Sequence, residues 1–331
     1  MANNLTPQYR KAEEEYRRAA TLEEELEWLQ VMFKEMPKHK ASEKLQVDLK
    51  TKMADLRKEI AAEKSSSKKS GKGIRIPRQG AGTAVLLGGP NAGKSQLICS
   101  ITRAKPEVAP YPFTTREPTP AMMPFEDVVV QLIDTPPVTK DFIEPHMYGL
   151  IRSADLVLLM VDMGSDDGIE QCQEVLDRLK DTKTRLAKTT HLDEDDVGLS
   201  YTKTFLLFNK IDDPDAEERI ALFRELIKVD FTEYRISALR GDGLEKLVAD
   251  IYGTLGMIRV YSKLPTAKEP DRERPFTVKR GSMLIDMAEQ VHKDFVKGLK
   301  SARVWGEAVH DGTPVKGDYV LHDKDIVELH M

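Results

Sequence analysis

Eight consecutive residues, Gly88-Gly89-Pro90-Asn91-Ala92-Gly93-Lys94-Ser95, have the composition of a loop that holds phosphate. They follow the apolar run Thr83-Ala84-Val85-Leu86-Leu87 and lead into a stretch suited to a helix, 96–102, that opens on Gln96. Strand, glycine loop and helix are the context in which such a loop works. Glycines let the backbone N–H groups turn inward, so an anion rests on a nest of donors at a helix N-terminus. Lys94 is then placed to reach the β and γ phosphates of a bound nucleotide. Ser95 offers its hydroxyl to Mg²⁺, a hard ion that prefers oxygen ligands. The competing reading is a chance match in a glycine turn, and the flanking pattern speaks against it.

A second constellation, Asn209-Lys210-Ile211-Asp212, follows the apolar run Thr204-Phe205-Leu206-Leu207-Phe208. The Asp212 carboxylate can accept both the ring N–H and the exocyclic amine of guanine. Adenine lacks that pair of donors and would leave the carboxylate unpaired. Asn209 is expected to tie this loop back to the phosphate loop, while the Lys210 stem covers the base. Ser237-Ala238-Leu239, after a strand-like 233–236, would present a backbone N–H to the guanine carbonyl oxygen. The two constellations together imply a pocket for GTP and GDP.

Between them lie residues suited to sensing the γ-phosphate. Tyr111-Pro112-Phe113-Thr114-Thr115 is a loop stretch in which Thr114 or Thr115 can complete a Mg²⁺ shell, and the chemistry does not choose between them. The run 128–133 reads as a buried strand ending at Asp134, whose carboxylate can hold a Mg²⁺-bound water. The bland alternatives are a proline-rich surface turn and a strand cap. At Asp134-Thr135-Pro136-Pro137 the usual GTPase pattern, Asp-x-x-Gly, is broken. Proline has no N–H, so Pro137 cannot make the glycine's bond to the γ-phosphate. Val138 follows, where a water-orienting glutamine stands in many GTPases, and an apolar side chain cannot orient water. Hydrolysis would then rely on another group, a monovalent cation or a partner. Two readings of Asn91 stand side by side. Its oxygen can ligate potassium, as in phosphate loops of this form, or the residue simply tolerates a left-handed backbone.

The chain of 331 residues is long enough for about two domains. Its 40% hydrophobic and 32% charged content fits a soluble protein with a real core. A net charge of −5 gives no bulk attraction to nucleic acid, although local basic patches remain open. Cys99 and Cys172 provide neither a disulfide framework nor metal spacing. The seven histidines are scattered, which leaves metal or histidine chemistry little support. The N-terminus lacks an apolar signal core, and no run approaches the roughly 20 residues of a membrane span. A cytoplasmic protein without membrane contact is expected.

Five segments follow from the patterning. Residues 1–64 read as a helical hairpin or short coiled coil, with Leu22, Leu26, Leu29, Phe33 and Met36 in one stripe. Leu45, Leu49, Met53, Leu56 and Ile60 form the other, across Pro37. Residues 65–80, rich in Ser, Lys and Gly and free of acids, read as a basic flexible linker that can also touch an RNA backbone. Residues 81–262 alternate short apolar runs with helical stretches, including a buried strand at 155–161 and a closing helix at 243–255. Such alternation predicts an α/β domain, a mostly parallel sheet with helices on both faces and ligand loops at the strand C-termini. Within it, 180–203 is polar and reads as a surface insertion without a core of its own. Residues 263–274 read as a second linker. Residues 275–331 read as a small α+β module with strands at 276–278, 302–305, 319–321 and 326–329 around one helix, 284–299.

With these motifs placed, the chain resembles the Obg-related GTPases, most closely the developmentally regulated GTP-binding proteins. The resemblance rests on the phosphate loop, Tyr111-Pro112-Phe113-Thr114-Thr115, the Asn-Lys-Ile-Asp clamp and Met257-Ile258-Arg259-Val260-Tyr261-Ser262-Lys263. It extends to a C-terminal TGS module, similar to the ubiquitin-like β-grasp, in Arg274-Pro275-Phe276-Thr277-Val278, Val291-His292-Lys293 and Ala302-Arg303-Val304-Trp305-Gly306. It implies a P-loop GTPase domain and a slow Mg²⁺-dependent switch linked to the ribosome or structured RNA, with potassium stimulation left to the open reading of Asn91. The N-terminal helices and TGS module would serve as docking surfaces for partners, and Thr115 as the Mg²⁺ threonine. Members usually carry Asp-x-Pro-Gly and a glycine-rich second switch, where this chain has Pro137 and Val138-Thr139-Lys140-Asp141-Phe142. An apolar residue at the Val138 position is a family habit. The domain that eukaryotic relatives insert into the GTPase core is missing, since 180–203 is too short to be one. Pro137 motivates the alternative of a GTP-dependent scaffold that has lost hydrolysis.

Overall fold

The structure, a computed structural model, describes residues 6–19, 21–36, 43–66, 76–102, 118–139, 143, 145–180, 182–193, 196 and 198–330. Thr114 and Thr115, most of the basic linker, and Lys140, Asp141 and Phe142 lie outside these residues.

The chain opens with helices α1 (Pro7–Arg18), α2 (Leu22–Glu35) and α3 (Glu43–Ser66). Thr6 caps α1, its hydroxyl accepting from the Tyr9 N–H at 3.1 Å with Pro7 at the first helical position. Thr21 caps α2 through the Glu24 N–H, ahead of three glutamates that suit the positive end of the helix. The expected hairpin is thus a three-helix unit. Its additional helix has little aliphatic stripe, and Tyr9, Ala12 and Tyr16 supply the buried face that packs with Leu29, Met32, Leu49, Met53 and Leu56.

The central elements are β1 (Thr83–Gly88), α4 (Lys94–Ile101), β2 (Thr119–Phe125), β3 (Val128–Asp134), α5 (Pro145–Ser153), β4 (Leu156–Asp162) and α6 (Asp167–Lys180). They continue with β5 (Thr184–Ala187), β6 (His191–Leu192), β7 (Ser200–Asn209), α7 (Ala216–Leu226), β8 (Thr232–Ile236) and α8 (Leu244–Leu255). Strands β3, β1, β4, β7 and β8 run parallel in that order, and β2 closes one edge antiparallel to β3. The continuous apolar runs bury both faces. Ala84, Leu86, Leu156, Leu158, Phe205 and Leu207 pack on α4 and α8, while their neighbours Val85, Leu87, Val157, Leu159, Leu206 and Phe208 pack on α5, α6 and α7. Every parallel strand therefore delivers its C-terminal loop to one rim of the sheet.

The polar segment 180–203 departs from the expected core-free insertion. Strand β5 pairs parallel with the first residues of β7, and β6 pairs antiparallel with them. Thr184, Ser200 and Thr202 are buried there, so β-branched and small polar residues extend the sheet without an apolar run to announce it.

The C-terminal module comprises β9 (Met257–Ser262), β10 (Asp271–Lys279), α9 (Leu284–Val291), α10 (Lys293–Gly298), β11 (Ser301–Gly306), β12 (Val309–Val315) and β13 (Asp325–His330). Its sheet runs β10-β9-β13-β11-β12, with β13 parallel to β9 and the other neighbours antiparallel. In module order this is 2-1-5-3-4, so Met257–Ser262 is an inner strand of this sheet and not the exit from the first domain. Ile258 and Val260 enter the same core as Val278, Leu284, Met287, Val304 and Val327. The presumed linker contributes Asp271–Arg274 to β10. The single helix expected over 284–299 breaks at His292, whose φ of −169° is extended and whose ring caps α10. Residues 319–321 form only an isolated bridge, Met283 to Val320, whereas β12 was hidden by its Asp, Gly and Pro.

Side chains with charge join the three units. Arg17 donates to the Tyr201 and Ala154 carbonyls at 3.4 and 3.5 Å, and Arg152 pairs with Glu25. These contacts sit at the strand N-termini, opposite the ligand rim. Arg259 of β9 grips the β2–β3 turn through Glu126 and through Asp127 at 3.0 Å, while Asp323 holds its other nitrogens at 2.7 and 3.2 Å. Tyr261 donates to Asp127, and the Arg259 guanidinium lies 5.8 Å from the Tyr252 ring centroid. The Arg259 side chain is 6% exposed. Removing the guanidinium takes their shared counter-charge from Glu126, Asp127 and Asp323, so Arg259→Met is expected to cost about 2 kcal/mol, discounted for the exposure of Glu126. Urea unfolding followed by a probe in each domain checks this, and an unchanged transition would deny the contact its structural role.

Candidate GTP-binding site

The rim where the parallel strands end carries nearly all the residues singled out above. The loop 88–93 connects β1 to α4, and helix α4 starts without any side-chain cap on Gly93. Gly93 has φ 93°, and an added Cβ would lie 2.2 Å from the Asn209 amide nitrogen, so the position excludes a side chain twice over. Asn91 is also left-handed, at φ 55°. The Lys94 ammonium turns into the loop and donates to the Gly88 and Gly89 carbonyls at 3.0 and 2.9 Å. Burial pushes its pKa down to about 8, against a smaller opposing pull from Asp134.

Ser95 and Asp134 meet, the hydroxyl donating to the carboxylate at 2.6 Å. β1 and β3 are adjacent parallel strands, so their C-terminal residues converge without help from the loops. Pro137 follows, half-buried at this corner. The Val138 N–H donates to the Gly88 carbonyl at 3.2 Å, and its side chain is buried in the core with Ile133, Met147 and Val161. The valine is thus a packing residue that fastens the segment after β3 to the phosphate loop.

Asn209 ends β7 and is 2% exposed. Its amide donates to the Ala92 carbonyl at 2.8 Å, and its oxygen accepts from the Ala238 N–H at 2.9 Å. One side chain therefore joins three loops, those after β1, β7 and β8. Asp212 sits two residues beyond Lys210, with its carboxylate held below the usual range by a hydrogen bond from Ser237 and by the Arg240 guanidinium, 3.5 Å away. Among the described residues its buried Oδ1 has no hydrogen-bond partner, so the atom is open to a donor from outside the chain. Leu239 is 76% exposed in the same loop. Ser95, Asp134, Asn209, Lys210, Asp212 and the 237–239 loop are thus brought to one rim.

Residues 83–192 match a family described as "50S ribosome-binding GTPase", and residues 258–331 match the TGS domain family. The uncharacterized GTP-binding protein MJ1326 of Methanocaldococcus jannaschii is 30% identical, over 93% of this chain and 92% of that one. Developmentally-regulated G-protein 1 of Arabidopsis thaliana is 27% identical, over 88% of this chain and 87% of its own length. The chain belongs to the Obg-related GTPases of the developmentally regulated type. It is a GTP-binding protein with a P-loop GTPase domain and a C-terminal TGS domain. The Schizosaccharomyces pombe YchF GTPase shares the fold, with a TM-score of 0.53 over 78% of this chain and all of that one at 14% identity.

Two residues of this GTPase's rim escaped the sequence reading. Asp162 ends β4, directly beside Asn209 in the β4–β7 register, and its carboxylate meets the Lys210 ammonium at 2.5 Å. Arg219 of α7 donates to the Met163 carbonyl at 2.9 Å and pairs with Asp166 and Asp213, stapling the loop after β4 to the loop after β7. An acid at the C-terminal end of a buried run, the signal that found Asp134, was present at Asp162 as well. Nothing in the spacing marks Arg219.

A triphosphate bound beside Lys94 would favour the charged ammonium and raise its pKa above 8. Above that pH the free lysine is largely neutral, so GTP binding takes up about one proton near pH 9 and none below about pH 7. Titration calorimetry in buffers of different ionisation enthalpy reads this directly, and uptake that stays flat across the range would contradict the placement of Lys94.

Proposed function

We propose that the chain is a slow, Mg²⁺-dependent GTPase switch of the cytoplasm that acts on the ribosome or on structured RNA. The observation that carries it is the bridge from Asn209 to Ala92 and Ala238, which holds phosphate and base loops in one pocket. The backbone of Gly88, Gly89, Pro90, Asn91, Ala92 and Gly93 and the first turn from Lys94 to Gln96 form the cradle, with Lys94 on the β and γ phosphates. Asp212 selects guanine, the Lys210 stem covers the base, and Ser237, Ala238 and Leu239 offer a backbone N–H to the guanine oxygen. The hydroxyl and carboxylate of Ser95 and Asp134, 2.6 Å apart, are the hard oxygen donors that Mg²⁺ requires. Ser95 would bind the ion directly and Asp134 through water, with Thr115 as the further ligand. When bound, the ion would supply charge neutralisation to the phosphate oxygens.

Slow turnover follows from the segment after Asp134. Pro137 brings no N–H, and Val138 is committed to the core, so neither orients water nor binds the γ-phosphate. The missing charge comes from potassium at Asn91 or from a partner. Asparagine also tolerates φ 55° with no ion, so equal rates in K⁺ and Na⁺ would leave Asn91 with the backbone role alone. The ribosome is favoured because the family matched by 83–192 is described by ribosome binding. Contact surfaces are assigned to the N-terminal helices, 1–64, the basic linker, 65–80, and the TGS domain. No helix among the described residues is long and apolar enough to cross a membrane.

Single-turnover hydrolysis of GTP, in K⁺ or Na⁺ and with or without ribosomes, tests the proposal. Phosphate release that is slow alone and at least ~10-fold faster with K⁺ or ribosomes is expected. No release under any condition would instead make the protein a GTP-dependent scaffold.

A further inference from the structure

We infer that Asp162 is a positioning residue for guanine binding, acting through Lys210. This rests on the reading of Lys210 as the cover of the base. The Lys210 side chain is fixed at three points. Its backbone is left-handed, at φ 63°. Its stem passes over Gly164, where an added Cβ would lie 2.9 Å from the lysine Cδ. Its ammonium ends 2.5 Å from Asp162 Oδ2.

Asp162 is itself held. The β4–β7 register sets it beside Asn209, the Met163 N–H donates to the Asn209 carbonyl at 2.9 Å, and Asp162 Oδ1 accepts from the Gly164 N–H at 2.8 Å. Its side chain is 5% exposed, whereas that of Lys210 is 40% exposed. A buried carboxylate with an exposed lysine as its counter-ion fixes the far end of a long side chain that would otherwise sample many rotamers. The methylene stem is left as a preset apolar surface at the rim, two residues from Asp212. Base covering therefore loses little side-chain entropy when nucleotide binds.

The test is a double-mutant cycle on the rate at which a fluorescent GDP dissociates, with Asp162→Asn, Lys210→Met and the pair. Each single change is expected to speed dissociation about tenfold, and the pair no more than Lys210→Met alone. A roughly hundredfold product of the two effects would mean that Asp162 acts apart from Lys210, and no effect of Asp162→Asn would remove its role; either result overturns the inference. If Asp162→Asn does not fold, Asp162→Ser serves in its place, because a hydroxyl keeps an acceptor for the Gly164 N–H and removes the charge. GTP preference over ATP should survive in Lys210→Met, since Asp212 is intact. Failure of the guanine reading would show separately, as wild-type protein binding ATP as well as GTP.

Discussion

The pocket depends on one buried amide. Asn209 donates to the loop after β1 and accepts from the loop after β8, and it lies at the end of the strand between them. Each loop alone is a polar segment with few contacts, and each would cost conformational entropy to order on binding. Fastened through a side chain that is 2% exposed, they are ordered before nucleotide arrives. The close packing of Gly93 against the Asn209 amide shows why glycine is required at that step, whatever ligand the loop holds. Asp162, Lys210 and Arg219 repeat the device on the neighbouring loops, joining the end of β4 to the segment after β7.

The same economy of fixed points links the GTPase domain to the TGS sheet. The β2–β3 turn lies between the residues after the phosphate loop and Asp134, and Arg259 and Tyr261 hold that turn from β9. Glu126 adopts φ 48° at its tip, and Phe125 stacks on Tyr252 at 4.5 Å between centroids. The C-terminal domain therefore bears on the hairpin whose far end carries Asp134. The N-terminal helices bear on the other rim through Arg17 and Arg152, away from the nucleotide loops.

Much of this was legible in the chain. Buried parallel strands read as unbroken apolar runs, and the site residues stand in fixed order at the ends of those runs. Asp134, Asn209 and Asp212 could be placed because the strand before each was unmistakable. Legibility failed where a strand had no apolar run: β5 and the start of β7 are built on Thr and Ser, and β12 carries Asp, Gly and Pro. It failed again at β9, whose alternation of Ile258 and Val260 with Arg259 and Tyr261 signals a half-covered strand, but whose sheet is assigned only by pairing with β10 and β13. Asp162 and Arg219 act across loops distant in sequence, and no local pattern announces a contact of that kind.

Reversing the hydrogen-bond sense at Asp212 is the most direct trial of the account. An asparagine there would accept from the ring N–H and donate to an oxygen at the 2-position, which xanthine has and guanine lacks. Competition calorimetry with GTP and XTP should find wild-type protein strongly favouring GTP and Asp212→Asn favouring XTP. An unchanged preference in the variant would mean that the base is not read where the structure puts it.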